Sequence, residues 1–375
     1  MKIAALTACL GAVLLTVGCD RSKTALCMQE GDTLHLRHAD NLTIVSYDSF
    51  TVASLRNPWD TTRMLHTYIL VPRQAPLPQR LPEGTLVRTP LRCAAVYSSV
   101  HCSLLEQLGR LDAIGGVCDL KYIKMDALIR RVREGKIQDY GSGLNPNLEK
   151  IMDTHPDALM PSPFEGSNGY GRLAKLGIPI IECADYMETS ALGRAEWMRF
   201  YGRLFGCPER ADSLFEAVER RYQDLARRVT GISKRPTLLC ETLYGSSWHV
   251  AGGNSSLGRL YRDAGADYLF ADYPESGSVP LPFETVFDRA QHADIWLIKY
   301  NQPQDLTYAQ LQADYAPYSR FRPFRERRIY GCNTHDVRFY EEVQFQPDRL
   351  LADLIKIFHP HLLPSYNLHY FCPLK

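Results

Sequence analysis

The chain has almost no net charge: 43 basic against 42 acidic residues in 375, a formal +1. That balance excludes the basic footprint of a nucleic-acid binder. Its 11 cysteines are scattered with no CxxC pair, which excludes a paired-cysteine zinc or redox centre and argues against a disulfide framework. Buried free thiols are the expectation, with a bridge or two allowed. No GxSxG elbow, Walker A loop or HExxH motif occurs. Tryptophan is sparse, with 4 residues, but 21 tyrosines are present, and a tyrosine ring with a polar tip suits a binding cleft as well as a core. Long apolar runs are missing beyond the first twenty residues.

Those first residues, MKIAALTACLGAVLLTVGCD, carry a basic Lys2, an apolar run from Ile3 to Val17 and a small Gly18 before Cys19. The run is too short to span a bilayer comfortably and has the flanks of a signal peptide. Its end, LTVGC, resembles a bacterial lipobox, with Leu15 one place earlier than usual. The expectation is a leader over 1–18, lipidation of Cys19, a polar tether over 19–30, and a periplasm-facing protein held to a membrane by acyl chains.

Residues 31–90 read as a β-rich extension. LTIVSY, FTVASLR and MLHTYILVP are rich in β-branched and aromatic residues, and a Pro-rich loop follows at Ala75–Pro82. A small antiparallel meander is expected. From Leu91 short apolar runs alternate with helical patterns: CAAVYSS, AIGGVCD and IPIIECA as strands, HCSLLEQLG, MDALIRRVREG and GYGRLAKLG as helices. Such alternation predicts a parallel sheet. Between Ser190 and Val229 the pattern is helical only, with Ala211, Leu214, Phe215, Val218, Tyr222, Leu225 and Val229 on one stripe. Alternation resumes at Pro236. The fold class is therefore α/β: two lobes with mainly parallel sheets (91–190 and 233–375) joined by a long rigid helix (191–232), after the β-rich extension.

Each lobe carries one copy of a similar phrase, NPNLEKIMDTHPDALM and PFETVFDRAQHADIWL, about 135 residues apart. Each copy places a glutamate, Glu149 or Glu284, at a helix start ahead of a sheet strand. A carboxylate there is favoured by the helix dipole, so helix capping alone accounts for either glutamate taken singly.

Together with SSVHCSLLEQLGRLDAIGGVCD and LAKLGIPIIEC, these phrases resemble the substrate-binding proteins of ABC importers for metal chelates: ferric siderophores, haem and cobalamin. The resemblance runs from about Leu91 to Pro360. It implies two lobes that move little about a rigid helix and a ligand in the interlobe cleft. It also implies a partner permease with its ATPase, and a role for Glu149 and Glu284 as a matched pair docking on permease arginines. The family usually has an acidic residue where this chain has Ser103, which leaves that position without an assigned role.

Candidate cleft residues come from the strand-to-helix loops: Tyr97, His101, Tyr122, Tyr140, Phe164 and Tyr170 in the first lobe, and Tyr244, Trp248, His249, Lys299, Tyr300, Arg338 and Tyr340 in the second. Aromatic faces suit a macrocycle or a catecholate, and the cations suit an anionic chelate. No resident cofactor or metal site and no catalytic residue is expected; the ligand is an iron chelate, haem or corrinoid, and the protein a monomer. Two other functions stay open: a periplasmic enzyme on the same architecture, and a chelate scavenger or sensor working without a permease.

Overall fold

The computed structural model describes residues 31–165 and 169–375. The leader, the tether and Cys19 lie outside the described residues. No described helix is long and apolar enough to cross a membrane.

The extension forms a five-stranded sheet in sequence order: Asp32–Leu34, Leu42–Ser46, Thr51–Arg56, Met64–Pro72 and Thr85–Thr89. Alternation puts Ala53 and Leu55, Tyr68 and Leu70 on the buried face. The first four strands are antiparallel, as expected of a meander. The fifth instead runs parallel to Met64–Pro72. A parallel partner needs a crossover, and the Pro-rich loop supplies it. Arg88 ties that loop down, donating from Nη1 to the carbonyls of Pro72 (3.0 Å) and Ala75 (2.8 Å).

Carboxylates from the helical region hold the start of this extension. Glu196, fully buried, accepts the backbone N–H groups of Arg37, His38 and Ala39 at 2.7–3.0 Å. Glu188 accepts those of Asp40 and Asn41 and the indole N–H of Trp197. Glu219 pairs with Arg37 and His38 at 3.1 and 2.7 Å. Three acidic side chains spread over residues 188–219 thus hold an irregular segment that has no sheet partner of its own.

The N-terminal lobe has a four-stranded parallel sheet in the order Gln138–Asp139, Ile114–Val117, Ala94–Val96, Ala158–Met160. The expected strand IPIIECA contributes only one bridge, between Leu159 and Ile180. Ile181 and Cys183 donate to the carbonyls of Leu159 and Pro161, but Pro161 has no N–H with which to continue the ladder. The expected helix GYGRLAKLG is a short 3-10 turn, Leu173–Leu176, ended by Gly177 at φ 68°.

Three helices follow: Ala191–Glu196, Met198–Leu204 and the 21-residue Pro208–Arg228. At 1.5 Å per residue the last is about 31 Å long. Its apolar stripe, with Phe215, Val218 and Tyr222 buried, packs on Met198–Leu204 and on the last helix, Pro347–Phe358. The C-terminal lobe has a five-stranded sheet: Asp267–Tyr268, Thr237–Cys240, Ile295–Tyr300 and Ile329–Asn333 run parallel, and Cys372–Pro373 is antiparallel at the edge. A three-stranded antiparallel ribbon beside it, Leu243–Tyr244, Ser247–Ala251 and Ser278–Leu281, has no counterpart in the sequence reading. The architecture is two α/β lobes with mainly parallel sheets and a long helix between their sequences. All eight described cysteines are free, six of them buried.

Candidate functional site

The largest described cavity, about 1210 Å³, lies between the lobes. The first lobe lines it through Ser99 and the 121–129 segment, with Lys121 and Tyr122. The second lobe lines it from the ends of two adjacent strands, with Lys299, Tyr300, His335 and Tyr340. Ligands in open α/β sheets sit beyond the carboxyl ends of the strands, and this cleft obeys that rule. A second hollow of about 540 Å³ shares Lys299 and Tyr340 with it and adds Tyr244, His249 and Arg194.

Exposed aromatic surface is concentrated here. Tyr122 is 62%, Tyr340 60% and Tyr244 82% exposed, although a tyrosine normally hides its ring. The Lys121 ammonium lies 4.8 Å from the centre of the Tyr122 ring. Tyr300 is half-buried, and burial pushes its hydroxyl up to about 12, so it remains a neutral donor.

Two cations counted as ligand contacts are already engaged. Lys299 pairs with Glu241, and burial lowers its pKa. Glu241 itself sits in the left-handed region at φ 65°, a conformation costing roughly 1–3 kcal/mol for a non-glycine residue. Arg338 lines the cleft but spends its guanidinium on protein. Nε donates to Glu341 Oε2 at 2.6 Å, and Nη2 donates to Ser103 Oγ at 3.1 Å and Glu106 Oε2 at 3.0 Å. Burial alone would lower its pKa, but Glu341 and Glu106 hold it above the usual arginine value. Ser103 thereby has a partner. Lys124 adds a second stitch, its backbone N–H to Glu341 at 2.7 Å and its ammonium to the Thr334 carbonyl. The back of the cleft is sewn shut by charge-assisted bonds.

Six expected contacts lie elsewhere. Trp248 is fully buried, stacked on Trp296 at 5.8 Å, with its N–H donated to the Cys240 carbonyl. The unread antiparallel ribbon turns it inward. Tyr140 is 1% exposed and lies across Gly116, where a Cβ would meet its ring at 2.1 Å. Neither can touch a cleft ligand. Tyr97 packs beside Tyr140, and burial raises its hydroxyl pKa above the normal tyrosine range. His101 is buried, with Nε2 3.0 Å from Asp185 Oδ1. Phe164 is exposed, and Tyr170 donates to Glu182 at 3.0 Å.

Glu149 and Glu284 stand in the first turns of Leu148–Thr154 and Phe283–Ala290, both exposed. Asn147, not Glu149, caps the first helix by accepting the Lys150 N–H at 3.0 Å. The second helix starts from Pro282 with no side-chain cap. Neither glutamate has a described hydrogen bond or ion pair.

Residues 95–334 match the family model described as "Periplasmic binding protein". The chain belongs to that family. This periplasmic binding protein is 25% identical over 361 residues to an uncharacterized lipoprotein of Methanocaldococcus jannaschii, covering 90% of this chain and 84% of the other. Among solved structures it is similar to a periplasmic heme binding protein from Pseudomonas aeruginosa. That pair has a TM-score of 0.56 and 17% identity over 72% of this chain and 93% of the other. It is also similar to the molybdate periplasmic binding protein of a Haemophilus influenzae ABC transporter, with a TM-score of 0.59 and 14% identity over 75% of this chain and 90% of that one. At those identities the likeness is one of fold. The family and the fold neighbours are substrate-binding transport proteins rather than enzymes.

Proposed function

We propose that this periplasmic binding protein captures an iron complex or related metal chelate (a ferric siderophore, haem or a corrinoid) in the interlobe cleft and delivers it to an ABC permease with its ATPase. The observation that carries the reading is the cleft: about 1210 Å³, lined from both lobes, with exposed tyrosine faces and a lysine at its mouth. That volume exceeds the usual range for drug-sized ligands and suits a macrocycle or a large chelate. Flat rings stack on Tyr122 and Tyr340, and Lys121 neutralises a carboxylate or catecholate edge. The similarity to a heme binder and a molybdate binder supports an anionic, metal-containing cargo.

In this reading Glu149 and Glu284 dock on basic residues of the permease. Such charge pairs set orientation and register more than affinity. Cys19 carries the lipid that keeps the protein, as a monomer, at the membrane, in keeping with the lipoprotein relative. The test is an absorbance titration of the purified protein with haemin, cobalamin and a ferric hydroxamate. A Soret shift, a corrinoid shift or quenching with the hydroxamate identifies the class; no response to any of the three overturns the proposal.

A further inference from the structure

Outside the cleft, three chemically distinct ligand groups converge in the interior. His101 comes from the helix Ser99–Gln107, and Cys183 and Asp185 follow the bridge at Ile180. One nitrogen of His101, Sγ of Cys183 and a carboxylate oxygen of Asp185 all lie within 4.8 Å of one another. All three residues are buried, at 3%, 0% and 0% exposure. They line a cavity of about 250 Å³ together with Ser162, Tyr186 and Gln344.

The protein does not use up the hydrogen-bonding capacity of the cluster. Asp185 Oδ1 accepts from the Tyr201 hydroxyl at 2.5 Å and faces His101 Nε2 at 3.0 Å. Asp185 Oδ2 and His101 Nδ1, both buried, have no partner. Cys183 makes long contacts, 3.7 and 3.8 Å, to the carbonyls of Ile181 and Met160, and its thiol also faces His101 and Tyr201. Leaving a buried donor or acceptor unpaired costs about 1–3 kcal/mol each, so a cluster of them is maintained against its own desolvation. The rings of Tyr201 and Phe345, 5.0 and 6.0 Å from the imidazole, wall one side.

We propose that His101, Cys183 and Asp185 form a binding site for a single borderline-soft divalent cation of the Zn²⁺ class, distinct from the cargo site in the cleft. A thiolate, an imidazole and a carboxylate are the donor types of zinc and exclude magnesium and calcium, which take oxygen donors. A tetrahedral zinc holds such donors roughly 3.5 Å apart, so rotations of about an ångström close the present spacing. The thiol gives up its proton on binding. The cavity leaves a fourth position for water. The three ligands tie the first helix of the N-terminal lobe to the segment entering the linking helices. The ion would therefore stiffen the joint between lobes.

The test uses the full chain, stripped of metal with a chelator and titrated with Co²⁺ as a spectroscopic substitute for Zn²⁺. The expected result is one Co²⁺ per chain, with a thiolate charge-transfer band and visible d–d bands that Zn²⁺ abolishes. Cys183→Ser removes the charge-transfer band, while Cys372→Ser, which lacks the exposed thiol, keeps it. An absent cobalt spectrum in the wild type, or one undiminished in Cys183→Ser, overturns the proposal. If circular dichroism shows Cys183→Ser unfolded, His101→Gln and Asp185→Asn decide. Each is expected to weaken cobalt binding by at least about tenfold, and unchanged binding in both overturns the site.

Discussion

Arg338 reaches across the back of the cleft and donates from Nη2 to Glu106 Oε2 at 3.0 Å, so the two lobes share an ion pair rather than merely facing each other. Its other arm holds Glu341, a carboxylate only 3% exposed. A residue that read as a ligand cation is thus part of the hinge.

Removing Arg338 therefore costs stability before it costs affinity. Arg338→Met leaves Glu341 buried without its strongest partner, and breaking such a pair is expected to cost about 2–4 kcal/mol. The fall in the urea midpoint is the readout. If Arg338 instead serves the ligand, the midpoint stays put and the affinity for the cleft ligand falls.

The exposed cleft tyrosines should behave in the opposite way. Tyr122 and Tyr340 pack little against the protein, so Tyr122→Ala and Tyr340→Ala are expected to leave the melting temperature nearly unchanged. Each loses a stacking face, and the affinity for a ring-bearing ligand such as haemin should drop roughly tenfold, about 1.4 kcal/mol. Equal affinity in both variants would move the ligand out of this cleft.

How far these roles could be read beforehand depends on range in sequence. The alternation of apolar runs and helical stripes is local, and it located the strands at Ala94–Val96, Thr237–Cys240, Ile295–Tyr300 and Ile329–Asn333 together with the helix Pro208–Arg228. Facing is not local. Trp248 lies four residues after Tyr244, yet it points inward because the ribbon 243–251 folds back at Gly245, φ 60°. Tyr140 is buried because Gly116, distant in sequence, leaves room for its ring. The pairing of Arg338 with Glu106 spans 232 residues, and no periodicity records it. Nor did any motif announce His101, Cys183 and Asp185. The spacing of Cys183 and Asp185 was visible, but His101 reaches them only through the fold.

The proposed docking role of Glu149 and Glu284 separates transport from binding. Both are exposed and engaged in no described interaction, so Glu149→Ala with Glu284→Ala should leave folding and ligand affinity intact. Transport in cells carrying the double variant is expected to be abolished, since charge pairs fix the docking register. Unaltered uptake would remove the docking role from both residues.

Acid should weaken the C-terminal lobe through Asp294. Burial alone would raise its pKa, but the hydrogen bonds from Thr237 at 2.8 Å and the charges of Arg322 and Arg328 together hold it below the ordinary value. A carboxylate with a depressed folded pKa stabilises the protein above its unfolded pKa, and that contribution disappears as pH falls through the folded one. The urea midpoint of the wild type should therefore exceed that of Asp294→Asn at pH 7, and the gap should close below roughly pH 4. A gap that persists at acid pH would mean that the pairing adds nothing beyond shape.

Glu196, Glu188 and Glu219 fasten the start of the β-rich extension, and the first of these ties can be cut. Glu196 alone satisfies three consecutive backbone N–H groups, those of Arg37, His38 and Ala39, at full burial. Glu196→Gln keeps the volume but replaces half the acceptor capacity with an NH₂ group facing donors. Bonds to a charged acceptor are worth about 1.5–3 kcal/mol each, so a loss of about 2–4 kcal/mol is expected even after partial rearrangement. Because the strands beyond Leu42 have their own ladder, the damage should begin at the segment Arg37–Asn41. Limited proteolysis followed by mass spectrometry is then expected to cut the variant first within residues 35–41 while the lobes stay whole. First cleavage inside either lobe would show that Glu196 supports the linking helices instead of the extension.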